Sequence, residues 1–535
     1  MQPSLKKCTK KQKSIGTFQG LCLRSVTPNG YFADAENLTS DGYPAIQPRR
    51  GRGIITETGD ISAMYDHGGM CWLWGTTLYY KSHPVGTLAP GEKQFASLGA
   101  YVIIYPDKKI LNTDTLLLSD MENRTEAESV SVSVCNLDGS DAEETNFVKL
   151  SAQGIGVGFT AGDGVRISGF TDGLENGSYL LQTVADDFLV LISVMDGSFV
   201  HDGKITVERI APDLDFICAL DNRVWGCSSK THSVHASKLG DASNWEVFQG
   251  VSTDSYQAVL PSPGEFTGAS ADLGSVIFFK EEEIIRLYGS KPANFQLISY
   301  KMPGIEKGSS ASLAYSESML FYKGLSGVYV YDGSMPESVS AFLGANRYKN
   351  AKAGAVNGKY YIAMEDVQGK QKLFVYDTHS GAWYRENSES IRYFARSGDE
   401  LYFACTDGKT YSVNGGGLWF DKNEVLSTHL ALSEKNVAWL AETGWIRLDE
   451  PEKQYVSALH IRFSMGTNAS FTVYVQYSGE MFKRKIGEFS GKAEMQTRML
   501  AVPVKRCDSA RIRLEGTGET VITQMIKTYR TGSEL

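Results

Sequence analysis

The residues that could do chemistry are scattered along this chain. Its eight histidines stand at 67, 83, 201, 232, 235, 379, 429 and 460, and only His232-Ser-Val-His235 brings two close together. Two imidazoles on an extended or loop segment with no third ligand nearby make a poor metal site, because zinc takes three or four protein ligands. No HExxH, GxSxG or GxxxxGK[ST] pattern occurs, so the common zinc-protease, serine-hydrolase and phosphate-loop chemistries have no local signature here. Gly154-Ile-Gly156-Val-Gly158 lacks the third glycine of a dinucleotide-binding turn and does not open a helix. Paired carboxylates across a channel would suit glycoside hydrolysis, but such pairs lie far apart in sequence, and no sialidase-type Asp box marks the turns. Glu281-Glu-Glu283 reads as a solvated hairpin tip. Trp72 with Trp74, and Tyr360-Tyr361, read as sheet packing, with a ligand platform as the alternative. No catalytic residue, cofactor-binding residue or metal ligand is assigned, and the chain is not expected to be an enzyme.

Two basic stretches are the candidates for binding. Lys6, Lys7, Lys10, Lys11 and Lys13 crowd a nearly apolar-free N-terminal segment, which reads as a solvated arm or as one that orders on an acidic partner or DNA. Arg49, Arg50 and Arg52 follow the turn-forming run ENLTSDGYPAIQP. They could touch phosphate or an acidic neighbour; alternatively they form a solvated loop or ion pairs with some of the 62 Asp and Glu residues.

The net charge of −9 over 535 residues is too mild for a protein held on nucleic acid by bulk electrostatics. No apolar run approaches the ~20 residues needed to span a bilayer, so no membrane anchor is expected. The basic N-terminus lacks the apolar stretch of a signal peptide. Eight cysteines without a CxxC pair, several inside apolar runs, read as reduced core thiols of a protein made in a reducing cytoplasm.

The elements that would have to position any site are strands. With 54 Gly, 15 Pro, 27 Tyr and 24 Phe, the composition suits tight turns joining aromatic-rich strands. In Gly358–Asn387, the runs Tyr360–Ala363 and Leu373–Tyr376 flank a polar connection, and a second turn leads to Trp383. The phrase recurs as SVIFF, SMLFY, KYYIA and ELYFA, whose second residues Val276, Met319, Tyr360 and Leu401 are spaced 43, 41 and 41 residues apart. A four-stranded sheet repeating every ~40–50 residues is the signature of a propeller blade. Met70, Tyr101 and Phe216 mark further blade cores.

The expectation is an all-β chain: a β-propeller of six to eight blades, seven preferred, with an inserted small β-barrel and a C-terminal β-sandwich. Residues 1–16 form a basic flexible arm, 17–129 the first part of the propeller, 130–210 the barrel, 211–430 the rest of the propeller and 441–535 the sandwich. The barrel rests on short strands separated by Gly-Asp, Asp-Gly and Asn-Gly turns. The sandwich rests on alternation in Ser470–Tyr477 and Arg511–Glu515. The interval from Phe216 to Val276 holds either a blade with a long loop or a missed strand pair.

Three motifs carry a resemblance: ENLTSDGYPAIQPRRGRG at 36–53, GAYVIIYPDKKILNT at 99–113, and RCDSARIRLEGTG at 506–518 with GSE near the end. The chain resembles virion proteins of tailed double-stranded DNA phages, of the propeller-bearing tail hub or nozzle type. That resemblance implies a structural component of the virion neck and tail, made in the host cytoplasm and assembled as a six-fold homo-oligomeric ring that continues the DNA channel. Implied partners are copies of itself, portal or head–tail adaptor proteins, other tail or fibre proteins, and non-specific contact with channel DNA. It implies no cofactor and no catalytic residue. The alternatives are a receptor- or glycan-binding tail protein and a propeller glycosidase.

Overall fold

The computed structural model describes residues 10–56, 61–142, 145–415, 434, 436–447, 454–503, 505, 507 and 509–531. The protein is all-β and propeller-like in texture, with 54% of residues in strands and 3% in helix; the helices are single 3-10 turns such as Ser40–Gly42. It divides into two units, residues 1–66 with 308–535, and residues 67–307.

Among the described residues, the first unit contains three four-stranded antiparallel sheets of the repeated kind. One joins Ala314–Ser316, Met319–Gly324, Gly327–Tyr331 and Glu337–Ser338. The next joins Lys349–Val356, Lys359–Glu365, Gln371–Asp377 and Trp383–Glu386. In the third, Ile391–Ser397, Glu400–Cys405 and Thr410–Ser412 are completed by Gly53–Thr56 from far upstream, with Tyr411 opposite Ile54.

The hairpins have a local cause. Asn357 and Gly358 both take positive φ (51° and 69°), as do Glu317 and Ser318 (50° and 67°); a two-residue turn of this hand matches the right-handed twist of the strands it joins. The runs between the turns are buried on both faces, with Tyr360, Ile362, Phe374 and Trp383 among the innermost side chains. Each such side chain contributes about 1.5–3 kcal/mol relative to exposure.

Two further sheets pack face to face in the same unit. One runs Lys10–Ile15, Thr520–Thr531, Gln454–Met465, Ala493–Ala501 in spatial order. The other runs Phe32–Glu36, Ala438–Thr443, Ser509–Thr517, Ser470–Tyr477, Arg484–Ser490. Phe463 of the first sheet meets Phe471 of the second edge-on, with centroids 4.9 Å apart. Phe471, Val473, Val475 and Tyr477 are all buried, as the sequence alternation requires. The core is continuous with the sheet around Trp383, through Phe18, Leu21 and Phe32.

The second unit holds the strands Met70–Trp74, Thr77–Tyr80 and His83–Thr87, and three four-stranded sheets that begin at Gln94, Phe216 and Gly268. Asp221 and Asn222 again take positive φ between Phe216–Leu220 and Arg223–Ser228. The interval to Val276 is one sheet with a long connection, because its fourth strand, Tyr256–Val259, follows Ser233–Ala236 only after an extended loop. Between the sheets beginning at Gln94 and Phe216, eight strands from Asn123–Ala127 to Ile205–Arg209 form one sheet in the order 1-8-4-5-6-3-2-7. All eight contribute to a single core around Val132, Leu150, Ile167 and Leu191.

The N-terminal part departs from the sequence expectation. Lys10–Ile15 is a strand, paired along its length with Thr520–Thr531, so these residues of the expected arm are ordered by a distant strand rather than solvated. Lys6 and Lys7 lie outside the described residues. Within residues 17–48, Phe32–Glu36 adds to one of the two facing sheets by pairing with Ala438–Thr443, while Leu21 and Asn37 bond to the strand Trp383–Glu386 of a four-stranded sheet, so this stretch joins the two and is not itself a repeated sheet. The eight-stranded sheet begins at Asn123, ahead of the expected 130.

Candidate functional site

Arg49 and Arg52 are built into the interior, at 8% and 3% exposure. The Arg49 guanidinium donates to Asn37 Oδ1 (3.1 Å), the Arg50 carbonyl (3.0 Å), Glu434 Oε2 (2.5 Å) and Asn387 Oδ1 (2.9 Å). Arg52 donates to Glu386 Oε2 (2.6 Å) and the Asn387 carbonyl (2.7 Å), and its guanidinium lies 5.1 Å from the centre of the Phe403 ring. Glu386 also faces Arg49 Nε at 3.6 Å.

Asn37 organises this cluster from a left-handed backbone position, φ 57°. Its side chain donates to the Ala438 carbonyl at 2.7 Å while its Oδ1 accepts from Arg49 and from the Asn387 N–H. Burial pushes the Glu434 carboxyl up, but the Arg49 hydrogen bond and the charges of Arg49 and Arg52 outweigh it and hold the group below its ordinary range. These two arginines therefore do not face phosphate. They fill the role of ion pairs with carboxylates, and Arg50 alone of the three is exposed.

The lysines of the N-terminal segment sit differently. Lys10, Lys11 and Lys13 lie on the edge strand opposite Arg530, Tyr529 and Lys527. Lys10 is exposed and the other two are half-buried. They share a basic strand pair, and the arginine cluster is a separate feature of the same unit.

The residues of the resembling motifs are structural joints. Ser40 donates to Asp377, and Lys359 reaches Asp41 at 2.5 Å and Thr39 at 2.8 Å, which fastens the turn Ser40–Gly42 to a four-stranded sheet. Asp107 of the second motif accepts from Lys93 Nζ at 2.5 Å, with both side chains buried, and from the Ala89 N–H at 2.6 Å. Lys108 bridges Glu122 (2.8 Å) and Asp213 (2.9 Å).

His235 Nε2 lies 2.8 Å from Ser233 Oγ, and burial lowers its pKa to about 4. No group of three or more His, Cys, Asp or Glu residues placed to hold a metal occurs among the described residues. Cys22, Cys71, Cys135, Cys218, Cys227, Cys405 and Cys507 are buried, and burial pushes the Cys405 thiol up to about 12. The apolar void between Val456, Leu459, Val475 and Ile512 has room for about one water-sized body, roughly 20 Å³.

Two surface features went unassigned in the sequence or were read as packing. Trp74 stacks on Trp72 (5.8 Å, 24° between planes), which stacks on Tyr79 (4.6 Å), and Trp74 is 40% exposed. Met481 and Phe482 stand in the turn between Ser470–Tyr477 and Arg484–Ser490, 99% and 60% exposed. The pair has no period, so the only sequence signal is an apolar dipeptide in a turn followed by Lys483-Arg484-Lys485.

No family model and no curated protein sequence matches the chain. Among solved structures, an endosialidase of phage phi92 aligns with 76% of each chain at 9% identity and a TM-score of 0.25. PorZ, a surface component of the type-IX secretion system of Porphyromonas gingivalis, aligns over 88% of this chain and 71% of its own at 8% identity and 0.29. An exo-β-1,3-galactanase from Phanerochaete chrysosporium aligns over 58% of this chain and 95% of its own at 8% identity and 0.21. Similarities this slight carry no argument about activity.

Proposed function

We propose that the repeated sheets are the seven blades of one propeller, that the eight-stranded sheet is an inserted barrel and the two facing sheets a sandwich, and that the whole is a structural part of a phage tail. In this reading the chain is a hub or nozzle subunit that assembles with copies of itself around the DNA channel and docks portal, adaptor and fibre proteins. The observation that carries it is the double tie of the N-terminal region: Lys10–Ile15 pairs with Thr520–Thr531, and Gly53–Thr56 pairs with Thr410–Ser412. Tension along the chain then acts on ladders of hydrogen bonds, not on a loose end, and this suits a part that bears mechanical load. The burial of Arg49 and Arg52 narrows the candidate DNA or partner contacts to Arg50 and the lysines of the N-terminal segment.

The test is imaging and mass. Electron microscopy and light scattering of the purified chain should give closed rings, and mass spectrometry should find the chain in purified particles. A monomer at every concentration, together with absence from particles, overturns the reading.

A second reading, a glycan- or receptor-binding tail protein, is favoured by Trp74, because an exposed indole backed by stacked rings is a platform for the apolar face of a sugar. Trp74→Ala should then abolish binding to host polysaccharide without altering assembly. Unchanged binding removes this reading.

A further inference from the structure

The hairpin tip Glu480–Lys483 is not a frayed loop. The Glu480 N–H donates to the Tyr477 carbonyl at 3.0 Å, and Gln476 Nε2 donates to the Glu480 carbonyl at 2.6 Å. The Glu480 carboxylate holds Arg484 (2.7 Å) and Lys505 (2.6 Å), while Lys483 is tied to Glu442. At the root, Tyr477 is fully buried with its hydroxyl donating to the Pro503 carbonyl. Every polar group named here is tied by a hydrogen bond or ion pair, and the two side chains left projecting are Met481 and Phe482, the latter with the Arg484 guanidinium 5.3 Å from its ring centre.

Beside them, Arg511 donates to Gln476 (2.8 Å), pairs with Glu442 (2.8 Å), and lies 4.6 Å from the ring centre of Trp445, which is 41% exposed. The tip and Trp445 thus belong to one end of the facing sheets. The charges around them are in slight positive excess: Lys483, Arg484, Lys485, Lys505, Arg511 and Arg513, each paired with a carboxylate, against Asp34, Glu442, Glu480, Glu488 and Glu515, among the described residues.

We propose that this end of the molecule is a peripheral contact site for an anionic lipid surface, with Met481 and Phe482 inserted among the acyl chains, Trp445 at headgroup level and the lysines and arginines against lipid phosphate. Protein interfaces are depleted in lysine and apolar at their centre. Here a narrow apolar tip stands inside a Lys/Arg collar with an indole at its rim, which is the composition of interfacial anchors. Such a contact needs no spanning segment, and the inference stands on this hairpin without requiring the tail-subunit reading.

The experiment is flotation of the full chain with phosphatidylcholine vesicles, with and without phosphatidylglycerol, at low and high salt. Binding is expected to the anionic vesicles and to weaken with salt. Met481→Ser with Phe482→Ser should lower vesicle affinity by roughly tenfold or more, and Lys485→Glu should lower it less. Because these side chains are exposed, circular dichroism and the melting temperature should not change. Failure of the wild-type chain to float with anionic vesicles at low salt overturns the proposal, as does equal flotation of the double variant. If the double variant instead shifts the oligomeric state by light scattering with no vesicle binding by either protein, the tip docks protein and the lipid proposal fails.

Discussion

Arg49–Arg52 and Lys483–Lys485 are both short basic runs beside a turn, yet the fold treats them in opposite ways. In the first, two of three guanidinium groups are turned inward onto Glu386 and Glu434. In the second, the cations pair at the surface around an apolar tip that stays outside. The sequence of each run is nearly neutral on the matter. What differs is where the carboxylates sit: Glu386 ends a buried strand more than 300 residues downstream of Arg52, whereas Arg484 and Lys485 pair with Glu480 and Glu488 of their own hairpin and Lys483 reaches Glu442, 41 residues upstream.

The largest test of this contrast removes the shared acceptor. Glu386→Ala leaves Arg52 buried without its carboxylate and strips Arg49 of the second of its two, Glu434 remaining, and should destabilise the first unit by about 3–5 kcal/mol, read as a shift of the denaturant midpoint. A loss below about 1 kcal/mol would mean that the cluster is hydrated and not internal. Arg52→Lys keeps the charge but loses the second hydrogen bond and the contact with Phe403, and should cost roughly 1–3 kcal/mol in the same assay.

Acid provides a third comparison. The carboxyls of Glu434 and Glu442 are both held below their ordinary range despite burial, Glu434 by Arg49 and Arg52 and Glu442 by Lys483, Arg513 and Arg511. Groups with depressed folded-state values contribute stability that is complete above the unfolded carboxylate range and is lost as pH falls through the folded value. The wild-type melting temperature should therefore drop as pH falls through and below that range, and Glu434→Gln should flatten the drop while lowering stability at neutral pH. Parallel curves for the two proteins would count against the pairing. The smallest effect belongs to Arg50→Ala: its side chain is exposed, so stability should stay within about 0.5 kcal/mol, and any effect should appear in nucleic-acid or partner binding.

What was legible in the sequence was local. Tyr360–Ala363, Leu373–Tyr376 and their echoes are apolar enough, and their turns specific enough, to announce strands without help from distant residues. The tie between Gly53–Thr56 and Thr410–Ser412 was not legible, since a four-residue strand with one glycine has no period of its own. Lys10–Ile15, reading KKQKSI, has a single large apolar residue, and its strand exists because Thr520–Thr531 offers a ladder. Tertiary pairing there overrides a composition that by itself favours solvation. The arginine cluster was legible only as an alternative, because residue type shows that a charge exists and not which way it turns.

The pairing of Gly53–Thr56 with Thr410–Ser412 also sets an order of events. During synthesis the earlier strand leaves the ribosome first, but its ladder cannot form until residue 412 has followed, and Lys10–Ile15 must wait still longer for Thr520–Thr531. Long-range pairing of this kind is slow to form and leaves unpaired edges exposed meanwhile. The nascent chain thus carries these strands uncommitted through most of translation, so a ribosome that stalls before residue 410 releases a product in which Lys10–Ile15, Phe32–Glu36 and Gly53–Thr56 all lack their partners, and proteases and chaperones would meet that product at these three strands.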